Sequence, residues 1–208
     1  QCDFDDTIVT GNVGKSLLNA FASAEWRTIE NLYSTGAITV EETNRLEFAL
    51  LNVTKQTIEE HVFETAEFRP GVPEFIQHCA SIGLNFTAVS NGVDLYIEPA
   101  LRSLIPPTVE LYSAHGKITE NGISISYLDP YGIDCQNGFK LSWLRYFKSH
   151  GQKVIYIGDG KSDISASLEA DYVIATSSLE DYFRFEGLGY FEFNDFYDVR
   201  QAIDTILT

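Results

Sequence analysis

The sequence predicts an α/β fold, a parallel sheet covered on both faces, with a small helical cap inserted after the first strand. Short apolar runs that end in polar residues alternate with helix-period segments after residue 71. The stretch before Arg69-Pro70-Gly71 instead reads as helix throughout and is too long for a simple connection. No internal repeat or low-complexity segment suggests another architecture.

Cys2-Asp3-Phe4 reads as the end of a strand. From residue 14 to about 66, apolar residues recur at helical spacing. Leu17, Leu18 and Phe21 share one face, as do Ile29, Leu32 and Tyr33, and then Leu46, Leu50 and Leu51. Thr39 followed three residues later by Glu42 is an N-cap signature, and Thr54 and Thr57 open another helix. Arg69-Pro70-Gly71 breaks the pattern. The expected division is a core of residues 1–11 and 69–208 with a helical cap of residues 12–68. Beyond the break, residues 72–82 read as helix and 84–89 as a buried strand ending in Ser90-Asn91-Gly92. Residues 95–104 read as helix, stopped by Pro106-Pro107. Residues 109–128 suggest a hairpin with turns at His115-Gly116-Lys117 and Glu120-Asn121-Gly122. A helix at 141–147, a strand at 153–157, a helix at 162–170, a strand at 172–175 and a last helix at 196–207 complete the series. The aromatics Tyr182, Phe183, Phe185, Tyr190, Phe191, Phe193, Phe196 and Tyr197 are expected in the core and over the sheet.

Thirty acidic residues against 14 basic give a formal charge of −16. Phosphate backbones are held by clustered Lys and Arg, so nucleic acid and anionic membrane are not expected partners. No apolar run approaches the roughly 18 residues of a membrane span. Cys2, Cys79 and Cys135 form no C-x-x-C pair, which fits reduced thiols and a cytoplasmic setting. The chain begins at Gln1 and has no Met, so leading residues are expected to have been trimmed. A monomer or homodimer is expected.

In open α/β sheets, ligands bind beyond the carboxyl ends of the strands. Here those ends carry Asp3-Phe4-Asp5-Asp6-Thr7, Ser90-Asn91-Gly92 and Gly158-Asp159-Gly160-Lys161-Ser162-Asp163, with Gly138-Phe139-Lys140 nearby. Phosphoryl transfer needs an in-line nucleophile, neutralised phosphate oxygens and a proton for the leaving alcohol. Asp3 and Asp5 can divide attack and proton transfer between them. Asp3, Asp5, Asp159 and Asp163 offer the oxygen ligands that Mg²⁺ prefers, with Asp163 placed to hold a metal-bound water. Ser90 and Lys140 can donate to phosphate oxygens, and Asn91 and Gly92 stand beside Ser90 as substrate contacts. Arg69 can either reach the substrate phosphate or brace the hinge. Glu41, Glu42 and Arg45 form either a solvated face or a substrate-selecting one, with Glu42 the candidate contact.

These motifs, in this order across nearly the whole chain, resemble those of the haloacid dehalogenase (HAD) superfamily. The resemblance implies a Rossmann-like core with a small helical cap and Mg²⁺ as cofactor. It implies Asp3 as the nucleophile that forms an aspartyl phosphate and Asp5 as general acid and base. Asp3, the backbone carbonyl of Asp5 and Asp159 would ligate the metal. Within the superfamily, the chain looks like the phosphoserine phosphatase branch. Ala24-Glu25-Trp26, Arg69-Pro70-Gly71, Asp94 and Asp195-Phe196-Tyr197 narrow the likeness to the methylthiopentenyl-phosphate phosphatases of methionine salvage. The expected function is hydrolysis of a small phosphorylated metabolite. Phosphotransfer within a sugar phosphate, as in a mutase, or an inactive phospholigand-binding module are the alternatives. Gly11-Asn12-Val13-Gly14-Lys15-Ser16 is not expected to be a P-loop, because two residues rather than four separate Gly11 from the Gly-Lys pair and the segment reads as following a loop.

Overall fold

A computed structural model describes residues 1–102 and 109–208. The expected helix end at Leu104 and the stop at Pro106-Pro107 lie outside the described residues.

Residues 1–3 form the middle of the sheet. Cys2 N–H donates to the Thr87 carbonyl at 2.9 Å, and Val89 N–H donates back to Cys2 at 2.8 Å. On the other side, Asp3 N–H donates to the Ile157 carbonyl at 2.9 Å. This short segment joins β3 (Thr87–Val93) to β6 (Ile155–Gly158), both parallel to it. β4 (Glu110–Thr119) pairs parallel beyond β3, while β7 (Tyr172–Ala175) and β8 (Phe191–Glu192) extend the sheet beyond β6. Every residue of β3 is buried, as expected for a parallel strand covered on both faces. Helices α5 (Val72–Ile82) and α10 (Phe196–Ile206) pack together, with Phe75 against Phe196. α7 (Phe139–Ser149) lies on the sheet through Trp143, whose ring stacks on Tyr112 of β4.

Between residues 12 and 66 run α1 (Val13–Phe21), α2 (Trp26–Ser34), α3 (Val40–Phe48) and α4 (Lys55–Thr65). Thr39 and Thr54 cap α3 and α4, their hydroxyls accepting from Glu42 N–H and Thr57 N–H at 3.1 Å each. A two-stranded antiparallel ribbon ties the entry and exit of this helical segment together. β1 (Val9–Thr10) pairs with β2 (Glu67–Phe68), Val9 opposite Phe68.

The structure corrects several details. β4 and β5 (Gly122–Ser126) form a hairpin with one turn, and His115-Gly116-Lys117 stays within β4. Gly116 serves close packing, since a Cβ there would come within 2.6 Å of Val93 and 2.7 Å of Leu95. The segment after β6 makes a 3-10 turn (Lys161–Asp163) and only a short α8 (Ile164–Ser167). A helix not foreseen, α9 (Ser177–Glu186), follows β7. Among the late aromatics, Phe183, Phe193 and Phe196 are buried, whereas Phe185 and Tyr197 are exposed. Cys2, Cys79 and Cys135 are free thiols. Among the described residues no helix is long and apolar enough to cross a membrane.

Candidate active site

The strand order brings Asp3 and the Gly158-Asp159 turn side by side, because residue 3 pairs directly with Ile157. Asp3 is buried. Its Oδ1 accepts from Phe4 N–H at 2.7 Å, and its Oδ2 lies 2.8 Å from Lys140 Nζ. Lys140 is only 2% exposed and comes from the first turn of α7. Its ammonium also reaches Asp163 Oδ1 at 2.6 Å and Ser162 Oγ at 3.2 Å, so its three protons all have acceptors.

Carboxylate oxygens of Asp3, Asp159 and Asp163 lie within 4.8 Å of one another. Burial, then the fields of Asp3 and Asp163, lift Asp159 to about 8. Burial also lifts Asp3 to about 7, with Lys140 pulling it down and Asp163 and Asp5 pushing it up. Burial works against the Lys140 ammonium, but Asp163 and Asp3 outweigh it and hold the group protonated. Those two tendencies conflict over whether Asp3 is charged. Contacts of 2.8 and 2.6 Å describe an ammonium facing carboxylates, so we take the Asp3–Lys140 pair as ionised. One ammonium does not balance three carboxylates, and this oxygen-only set fits a hard divalent cation.

Asp163 fits the role of ligand less well. Oδ1 accepts from Lys140 and from the Tyr156 hydroxyl, and Oδ2 accepts from the N–H groups of Asp159 and Gly160. Four donors fill the four acceptor positions of a carboxylate. Asp163 therefore fixes the turn that carries Asp159, which also accepts from the Thr7 hydroxyl at 3.1 Å.

Asp5 is held at both oxygens. Oδ1 accepts from Val13 N–H at 2.7 Å, and Oδ2 accepts from the Tyr96 hydroxyl at 2.6 Å. Burial raises its pKa to about 6, against the pull of these hydrogen bonds. Ser90 Oγ accepts from Gly92 N–H at 3.0 Å, which leaves its own proton to give. Gly92 makes room for Tyr96, whose hydroxyl would lie 2.2 Å from a Cβ at that position. Asp3, Asp5, Ser90, Asn91, Gly92, Lys140 and Asp159 line one cavity of about 270 Å³.

The family model for haloacid dehalogenase-like hydrolase matches residues 2–168. The chain belongs to this family. It is 29% identical over 209 residues to a 2-hydroxy-3-keto-5-methylthiopentenyl-1-phosphate phosphatase of Bacillus pumilus, a match covering 99% of this chain and 90% of that protein. It is 31% identical over 207 residues to the bifunctional enzyme MtnB/MtnX of Bacillus licheniformis, covering 98% of this chain and about half, 48%, of that protein. Among solved structures, a substrate-bound phosphoserine phosphatase superposes with a TM-score of 0.73 at 17% identity, covering 97% of this chain and 95% of that one. A phospho-aspartyl intermediate analogue of phosphoserine phosphatase gives 0.71 at 17% identity, covering 98% and 96%. These two likenesses show the fold.

Two candidate contacts of this haloacid dehalogenase-like hydrolase lie elsewhere than expected. Glu42 is exposed and does not line the cavity. One position along a helix rotates a side chain by about 100°, and Glu41, its neighbour, is the buried one. Arg69 does not reach the cavity either. Its guanidinium donates to the carbonyls of Thr7 at 2.9 Å, Asn194 at 2.8 Å and Asp6, all backbone groups, and so ties the segments on either side of it together. The sequence reading also missed residues of the helical segment that face the cavity, among them Glu47, Glu30 and Lys15. Glu47 carried no signal, since it follows Leu46, which was expected in the core and is exposed. Tyr96 could have been suspected from its place one turn into the helix that follows Ser90-Asn91-Gly92.

Proposed function

We propose that this chain is a Mg²⁺-dependent phosphomonoester hydrolase that attacks phosphorus with Asp3. The observation that carries the reading is the contact of a buried Asp3 with Lys140, beside Asp159 and above the Asp5 loop, in one cavity. In this reading residues 12–68 act as a cap over these groups, and residues 1–11 with 69–208 form the catalytic core. An Asp3 carboxylate oxygen bonds to phosphorus as the ester P–O bond breaks. The leaving oxygen takes the Asp5 proton, for which a carboxyl raised to about 6 is suited. In the second half, Asp5 takes a proton from water as that water attacks phosphorus, and the bond to Asp3 breaks. Lys140 and the Ser90 hydroxyl offset the charge on the phosphate oxygens. Asp3 and Asp159 would hold Mg²⁺, with Asp163 fixing the Asp159 turn. When bound, the metal neutralises negative charge on the phosphoryl group. The substrate is a small phosphorylated metabolite. Relatives named for 2-hydroxy-3-keto-5-methylthiopentenyl-1-phosphate span this whole chain and support that ester over phosphoserine, where the likeness is one of fold.

The test is phosphate release from an aryl phosphate with Mg²⁺ and with a chelator, for the native protein and Asp3→Asn. Release should need the metal and fall by about a thousandfold or more in the variant. Comparable turnover in Asp3→Asn would remove Asp3 from the mechanism.

A further inference from the structure

We infer that Glu47 selects the substrate by the part that is not phosphate, favouring a carbon chain with an uncharged hydroxyl or keto group and disfavouring one that bears a carboxylate. This rests on the phosphomonoesterase reading above and concerns the same cavity. Glu47 lies at the end of α3, is 2% exposed, and lines the cavity that holds Asp3. Its Oε1 has no hydrogen-bond partner among the described residues. Leaving a buried polar group unpaired costs about 1–3 kcal/mol. The cavity is where that partner enters, carried by a ligand.

The surroundings define what the ligand brings. Lys15 is the cation whose field reaches Glu47, and its ammonium is already committed to Glu30 at 2.7 Å. With its ammonium held by Glu30, Lys15 does not offer an incoming carboxylate the counter-ion that such a group needs away from water. Burial first, then Glu30, raises Glu47 to about 8, with Lys15 pulling the other way. A protonated carboxyl donates to a carbonyl and accepts from a hydroxyl. Leu18, Val40 and Phe48 line the same cavity and suit a short apolar chain better than a second charge.

The experiment measures kcat and KM with Mg²⁺ on four esters. p-Nitrophenyl phosphate is the reference, dihydroxyacetone phosphate an uncharged hydroxyketone, phosphoserine the carboxylate probe, and phosphoethanolamine an ammonium without a carboxylate. Wild-type kcat/KM should be higher for dihydroxyacetone phosphate than for either amino ester by about tenfold or more, the worth of one hydrogen bond to a buried partner. Glu47→Ala should lower the ratio of dihydroxyacetone phosphate to p-nitrophenyl phosphate by about tenfold, chiefly through KM. Glu47→Gln, a neutral donor and acceptor of the same shape, should hold that ratio within about threefold. The wild-type ranking decides the matter even where Glu47→Ala fails to fold. Phosphoserine turned over as well as dihydroxyacetone phosphate would overturn the inference and leave the phosphatase reading standing. Phosphoethanolamine as the best substrate would make Glu47 a cation contact and also overturn it. No turnover even of p-nitrophenyl phosphate would overturn the phosphatase reading and this inference with it.

Discussion

Replacing Lys140 with methionine removes one ammonium and keeps most of the side-chain volume. Asp3 and Asp163 then lose a counter-ion at 2.8 and 2.6 Å in a place where Lys140 is 2% exposed. Breaking a buried pair from one side costs roughly 3–5 kcal/mol. The lower end applies here, because Asp163 keeps Tyr156 and two backbone donors and Asp3 keeps Phe4 N–H. A loss of about 3 kcal/mol lowers the melting temperature of a chain this size by about 6–12 °C. Activity should fall by about a hundredfold or more, since a preorganised positive charge on the phosphate oxygens is lost. The pH profile should move as well. Burial, Asp163 and Asp5 all raise the Asp3 pKa, and Lys140 is what lowers it. Without that ammonium the attacking carboxylate forms only at higher pH, so the acid limb of kcat/KM shifts alkaline. Thermal melting and a pH series of phosphate release read both effects. A Lys140→Met protein that melts within about 2 °C of wild type and keeps its acid limb would refute the buried ion-pair argument.

Arg69→Ala removes three hydrogen bonds to the backbone carbonyls of Asp6, Thr7 and Asn194 and should cost about 2 kcal/mol with little change in KM. A tenfold rise in KM without destabilisation would return Arg69 to the phosphate. Asp5→Asn should cut turnover by about 10²–10⁴-fold, and more for alkyl than aryl phosphates, whose leaving groups need no proton. Equal losses on both ester types count against Asp5 as the acid. In the metal-free protein, the raised pKa of Asp159, about 8, means that the folded state holds this proton more tightly than the unfolded chain. Its stabilising contribution is complete below about pH 4 and is lost as pH rises through about 8. Melting temperature without metal should therefore fall between about pH 6 and pH 8.5, and Mg²⁺ should restore more at the higher pH. A metal-free protein that melts higher at pH 8.5 than at pH 6 would contradict the crowding of acids around Asp159.

The gathering of these loops at one edge of the sheet was legible because it is written locally. Short apolar runs ending in Asp3, Ser90 and Gly158-Asp159 announce both the strand and the loop that follows it, and parallel topology then gathers those loops. Lys140 stood out as the Lys just ahead of the helix expected at 141–147, a helix that begins at Phe139. The helical segment was harder to read. Hydrophobic spacing predicts Leu46 inside α3, yet Leu46 is exposed while Glu41, Thr43 and Glu47 are buried. That helix turns a polar face toward a polar cavity and toward the end of the sheet, so apolar periodicity points the wrong way. Arg69 was ambiguous because a guanidinium that bridges carbonyls and one that binds phosphate have the same sequence signature. Only the paths of residues 6–7 and 194 past it show which applies.

The polar face of α3 has a further consequence. Glu41, Asn44 and Arg45 stand at helical spacing and all bind residues of the later part of the chain. Glu41 Oε1 accepts from Phe139 N–H at 2.9 Å, taking an orphan donor at the start of α7, one residue before Lys140. Asn44 donates to the Asn91 carbonyl at 2.8 Å, one residue after Ser90. Arg45 donates to the Cys135 carbonyl at 2.9 Å, in the loop that leads into α7. The same helix ends by burying Glu47 in the wall of the cavity. Its seat on those residues thus sets the position of the group inferred to read the substrate. It also touches the backbone beside both residues expected on the phosphate. In the proposed reading, a change in how α3 sits would then move recognition and chemistry together, because one helix carries the contacts for both.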